Sequence, residues 1–155
     1  ATQTIVRVLE RTKRQAADLG LSLHWPQDRI GPIPVVWDAT RIEQLLDNLL
    51  QNSMRYTDAP GTIAVDWSAD GRRFRRAGED SAPGVPAEEL PHLFEPLYRS
   101  EFARQRERGG SGLGLAICAA IVAAHGGRIE ALPSRLGGVR VAVELPLAAD
   151  EEAGA

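Results

Sequence analysis

At 155 residues the chain has the length of one compact domain, enough to bury a core without disulfides or metals. Hydrophobic residues are 43% and charged residues 25%, a globular rather than a disordered balance. The net charge of −3, from 18 basic and 21 acidic residues, argues against a general nucleic-acid binder. Cys118 is the only cysteine and Lys13 the only lysine. That excludes a disulfide framework, a Cys-based zinc site, a Walker A loop and the strand lysine of a protein kinase. His24, His92 and His125 have no metal-ligand spacing. No apolar run approaches a membrane span and no signal peptide is visible. The start, Ala1-Thr2-Gln3, reads as a cut from a longer chain.

Ile5, Val8, Leu9, Thr12, Ala16 and Leu19 recur at helical spacing up to Gly20 and predict a first helix. Leu21 to Trp25 reads as a strand closed by Pro26, and Val35-Val36-Trp37 as a second short strand after a Pro/Gly loop. The clearest helix follows, with Ile42, Leu45, Leu46, Leu49, Leu50 and Met54 on one stripe and Asp38 or Thr40 as its cap. Thr62 to Trp67 predicts a strand, and Asp70-Gly71 a hairpin turn. The return segment Arg72–Gly78 reads as the partner strand that this turn predicts, although four arginines around Phe74 make it a poor central strand. Either the arginines snorkel from the sheet face or the hairpin is loosely ordered. Pro86 to Leu93 reads as a short helix, 99–111 as an Arg-rich loop, and Gly112 to about His125 as a second strong helix. Two strands, about 128–132 and 139–145, close the pattern, followed by an acidic tail. The fold class is α+β.

Four constellations carry chemistry. Asn48, Asn52 and Arg55 share a helix face beside the Leu stripe, with Tyr56 between, and offer oxygen ligands to a hard cation plus a positive charge. Glu79-Asp80 ends a strand before Pro83-Gly84-Val85, which sets Asp80 at a cleft edge where it can accept from an exocyclic amine. Gly109 to Leu115 opens an apolar helix with closely spaced glycines, an anion site in form. Leu93-Phe94-Glu95-Pro96-Leu97-Tyr98-Arg99 precedes a basic loop suited to cover phosphates. Each has a bland alternative: a solvated helix face, a turn cap, a flexible loop with a close-packed helix, and a solvated surface loop.

Taken in order, these four resemble the N, G1, F and G2 boxes of the sensor histidine kinase ATP-binding domain, in the superfamily of gyrase, Hsp90 and MutL. The resemblance covers about residues 2–147, and Glu-Asp-Ser-Ala-Pro-Gly-Val with Ala-Ile-Cys is similar to the Bae-type envelope-stress sensor kinases. Ala82 stands where the G1 box usually has its first glycine.

The resemblance implies a two-layer α/β sandwich, the Bergerat ATP-binding fold, with a mixed, mostly antiparallel sheet covered on one face by about three helices. It implies a catalytic domain over residues 1–147, an ATP lid over 97–111 and a flexible tail over 148–155. It assigns Mg²⁺ to Asn52, the γ-phosphate neighbourhood to Asn48, phosphate contact to Arg55, and to Arg99 a place near the γ-phosphate or the phosphoacceptor domain. Tyr56 would pack on the adenine, Asp80 would read its amine, and Gly84 with Val85 would form the pocket turn. Leu93 and Phe94 of the hinge, and Gly110, Gly112, Leu113 and Gly114, complete the nucleotide site. The cofactors are ATP and Mg²⁺, and the reaction moves the γ-phosphoryl to a histidine on a dimerisation domain absent from this chain. None of the three histidines has the His-Glu context of the phosphoacceptor, so the chain alone is not expected to autophosphorylate. A monomeric fragment, a homodimeric full-length protein, a response regulator partner, a cytoplasmic domain and an inner-membrane bacterial parent follow from the same resemblance. Two other readings are a catalytically silent, nucleotide-dependent interaction module and an anti-sigma serine kinase of the same superfamily, which the hinge motif disfavours.

Overall fold

The structure, a computed structural model, describes residues 2–26, 38–70, 72–81, 83–96 and 114–146. Its elements in chain order are α1 (Thr2–Asp18), β1 (Leu21–His24), α2 (Ala39–Tyr56), β2 (Gly61–Ala69), β3 (Arg73–Ser81), a 3-10 helix (Ala87–His92), α3 (Gly114–Ala124), β4 (Arg128–Pro133) and β5 (Gly137–Pro146). The predicted strand Val35–Trp37, the lid 97–111 and the tail 148–155 lie outside the described residues.

Five strands form one sheet in the order β1-β2-β3-β5-β4. The β1–β2 pair is parallel and the other three are antiparallel, so the sheet is mixed and mostly antiparallel. Alternation along each strand sends Leu21, Leu23, Ile63, Val65, Trp67, Phe74, Val141, Val143 and Leu145 into the core. The helices cover that face: α1 packs on β1 and α2, and α2 packs on α3.

The α2 stripe is buried at all six apolar positions. Its start is capped by Asp38, whose carboxylate accepts from the Arg41 N–H at 3.1 Å. In α1 the stripe holds from Ile5 to Ala16, but Leu19 is a correction: it is exposed. The helix ends at Asp18, and Gly20 takes φ 78° in the turn into β1, a conformation that favours glycine. The predicted short helix after Pro86 is a 3-10 turn, and Pro91 inside it removes a backbone donor.

The Arg-rich segment is an ordered central strand. Asp70 stabilises the turn before it by accepting from the Arg72 and Arg73 N–H groups, both at 2.7 Å. Those donors hold its carboxyl well down, at about 2, with Arg75 adding to the effect. Arg73 and Arg75 point to the open face of the sheet, where they and Arg128 surround Glu144 at 3.0, 3.2 and 3.5 Å. Arg75, Arg128 and Glu144 border a groove of about 510 Å³ whose lining includes Ala77 and Ala142. Arg76 does neither of the two things expected of the segment, because it points inward and is only 4% exposed. Its guanidinium folds over Gly78, where a Cβ would come within 3.0 Å of Nη1. Arg76 and Gly78 together occupy space that apolar side chains fill on the neighbouring strands.

Candidate functional site

The site is assembled at the end of β3. Asp80 is buried, on the helix-facing side of the sheet. Its Oδ1 accepts from the Val139 N–H of β5 at 2.9 Å, and the Ser53 hydroxyl of α2 donates to the same carboxylate. Burial pushes its pKa up to about 6, the Val139 and Ser53 bonds pull the other way, and the neighbouring Glu79 charge adds to the rise. Among the described residues no cation pairs with Asp80. A buried carboxylate without a counter-charge is costly, and such groups concentrate at binding and catalytic sites.

The β3–β5 register slips between Glu79 and Ser81, which pair with Arg140 and Gly137. The two residues Gly138 and Val139 therefore oppose Asp80 alone, a β-bulge that re-aims this part of the strand. Gly138 has no room for a side chain, since a Cβ would strike the Asp80 carboxylate and the Ser81 carbonyl. Gly84 abuts the same hairpin, where a Cβ would lie 2.9 Å from the Gly137 carbonyl oxygen.

Asn48 and Asn52 lie half-buried on α2, and Ser53 beside Asn52 ties that turn of the helix to Asp80. Arg55 is exposed in the last turn of α2. Tyr56 ends the helix, and its side chain lies outside what the structure describes. Val85, Leu93 and Phe94 are half-buried, with Phe94 packed on the core. Gly114 starts α3, and among the described residues nothing lies within 4 Å of where a Cβ would stand. Cys118, one turn on, reaches the Leu45 carbonyl at 3.8 Å and joins α3 to α2. Arg99, Gly110, Gly112 and Leu113 lie outside the described residues.

Four residues of the site are not singled out by spacing: Ser53, Gly138, Val139 and Glu79 in its hydrogen-bonding role. Gly137-Gly138 signals only a turn in the sequence, and Val139 contributes a backbone N–H that any residue would supply. The histidines are structural or exposed. His125 Nδ1 meets the Ile121 carbonyl at 2.8 Å and its Nε2 accepts from the Asp38 N–H at 3.4 Å, while His92 pairs with Glu95 at 2.6 Å.

Residues 37–149 match the family of histidine kinase-, DNA gyrase B- and HSP90-like ATPases. The chain belongs to this family. It is 51% identical over 118 residues to the signal transduction histidine-protein kinase BaeS of Escherichia coli K12, covering 76% of this chain and 25% of that protein. Among solved structures, the nucleotide-free catalytic domain of histidine kinase ThkA superposes with a TM-score of 0.82 at 27% identity, covering 97% of this chain and 94% of that one. Full-length ShkA in complex with AMPPNP superposes at 0.75 with 30% identity, covering 94% of this chain and 30% of that one. The α+β architecture is thus the one shared by histidine kinase catalytic domains. The chain spans 25% of BaeS and 32% of the E. coli sensor histidine kinase CpxA. No helix among the described residues is long and apolar enough to cross a membrane.

Proposed function

We propose that the chain is the catalytic domain of a two-component sensor kinase, which binds Mg-ATP and presents the γ-phosphate to a histidine on a dimerisation domain. The observation that carries this reading is Asp80, a buried carboxylate with no cation among the described residues, held by Ser53 and Val139 beside the hairpin that Gly84 abuts. Such a group gains most from a ligand that donates a hydrogen bond, as the adenine amine does.

The donor set suits the nucleotide and its metal. Among the described residues no group of three His, Cys, Asp or Glu could hold an ion alone. Asn48 and Asn52 instead offer amide oxygens, which matches Mg²⁺ bound by one or two protein oxygens with phosphates and water. When bound, Mg²⁺ neutralises charge on the phosphates. In this reading the chain's own residues hold and orient. Asp80 accepts from the base, Gly84 and Val85 shape its pocket, Asn52 holds the metal, Asn48 lies by the γ-phosphate and Arg55 attracts the phosphates. Leu93 and Phe94 close the hinge side, and Gly114, with no described residue crowding its Cα, suits a phosphate at the start of α3. Tyr56, Arg99, Gly110, Gly112 and Leu113 would complete the site from the positions the family resemblance gives them.

The ShkA complex with AMPPNP and the ThkA complex with the response regulator TrrA support a nucleotide and a response regulator as partners. A cytoplasmic position beneath a membrane sensor belongs to the same proposal. Calorimetric titration with ADP and Mg²⁺ tests it: binding is expected in the wild type and lost in Asn52→Asp and Asp80→Asn. No binding at millimolar nucleotide would overturn the nucleotide-binding reading. Labelled ATP is expected to leave no acid-labile phosphate on the isolated chain.

A further inference from the structure

We infer that Glu79 is a positioning residue for this site: it clamps the β4–β5 hairpin from the open face of the sheet, so that the hairpin backbone meets Asp80 and Gly84 on the other side. The inference rests on the nucleotide-binding reading above. Glu79 and Asp80 are neighbours on β3, so their side chains leave the strand on opposite faces. Glu79 Oε1 accepts from the Ser134 hydroxyl at 2.9 Å. Its Oε2 accepts from Arg140 at 2.9 Å and Arg135 at 3.3 Å. All three partners belong to the hairpin.

The path returns to β3 one residue later. The Ser134 hydroxyl accepts from the Leu136 N–H at 2.9 Å. The Ser134 N–H donates to the Gly138 carbonyl at 2.9 Å, and the Gly137 N–H to the Ser134 carbonyl at 3.1 Å. Val139 then donates to Asp80. Two consecutive carboxylates thus grip one hairpin from its two sides. The bulge is why a side-chain clamp matters here, because ladder pairing is interrupted opposite Asp80 and cannot by itself set the hairpin's position. The fit is tight, since Gly138 has no space for a methyl group against Asp80 and Gly84 none against Gly137. A displacement of about 1 Å is enough to spoil a binding geometry of this kind.

The test is ADP–Mg²⁺ calorimetry on the wild type, E79Q, S134A and E144Q from about pH 5 to about pH 8, spanning the Asp80 titration, with amide exchange at Val139 in the nucleotide-free protein. Binding is expected to weaken about tenfold in E79Q and about threefold in S134A, with faster Val139 exchange in both. Glu144 serves as the control on the same sheet face, and E144Q should change neither quantity. Asp80 is faced by Ser53 from α2 and Val139 from β5, with Glu79 the nearest like charge. Removing that charge moves the acid midpoint of binding downward in E79Q, whereas general loosening would lower affinity by one factor at every pH. Wild-type affinity and Val139 protection in both variants would overturn the clamp. If the wild type binds no nucleotide, the functional reading falls, and Val139 exchange in E79Q and S134A decides the clamp alone.

Discussion

In the proposed site, Asp80 sets nucleotide binding against stability within one side chain. Its pKa rises from 3.8 to about 6 on folding. A carboxyl with a raised pKa contributes stability that is fully present below pH 3.8 and is lost as pH passes through about 6. The shift of about 2 units corresponds to about 3 kcal/mol against the folded state at neutral pH. Asp80→Asn is therefore expected to unfold at higher urea than the wild type at pH 7 while losing ADP binding. Equal or lower stability would mean that the buried charge is compensated. In the proposed site nucleotide binding has the opposite pH sense, because there the ionised carboxylate would be the acceptor. Affinity measured by calorimetry should fall as pH drops below about 6, and a flat profile would remove Asp80 from the base-binding role.

At the scale of elements, β3 carries the tension. Burial lowers Arg76 to about 10, so it keeps its charge at neutral pH beneath α2 and α3. Cys118 lies near enough to interact, but burial raises its thiol to about 12 and it offers no counter-charge. Replacing buried ion pairs by apolar side chains of similar volume is often neutral or stabilising by about 1–4 kcal/mol. Arg76→Met is expected to raise the urea midpoint, with the thioether still covering Gly78; a loss would reveal a polar role for the guanidinium. By contrast, Leu45→Ala on α2 should cost about 3 kcal/mol, since Leu45 is 1% exposed and truncation leaves a cavity. These two positions also mark what is legible in the sequence. The α2 stripe repeats with helical period and is buried as the period demands. Arg76 is hidden from such reading because polarity along Arg72–Gly78 contradicts the alternation that the sheet imposes. The glycine that accommodates it is explicable only once the side chain's path is known.

For the whole molecule, the fold class and the polar residues of the candidate site stand out in local patterns, because Asn48, Asn52, Asp80 and Gly84 each sit in a short run with its own chemistry. What holds those residues together does not. Ser134 and Arg140 reach Glu79 across 55 and 61 residues, and Val139 reaches Asp80 across 59. No local period encodes such pairings. The same distribution predicts how salt acts. The α1–α2 pairs of Arg7 and Arg11 with Glu43 and Asp47 are exposed and screened, so they contribute about 1 kcal/mol or less each. Unfolding midpoints should change little between low and moderate salt, and a large drop would assign those surface pairs a greater share.

Strand β4 ends the sheet among the described residues. An outer strand is where another chain could add on, templated by unpaired backbone groups. This one is six residues long, turns Arg128 and Glu130 toward solvent, and finishes at Pro133, which has no N–H to offer. A stranger's strand would find a short, charged border with a donor missing at its far end. When many copies crowd together, this margin of the domain therefore resists growth into a shared sheet.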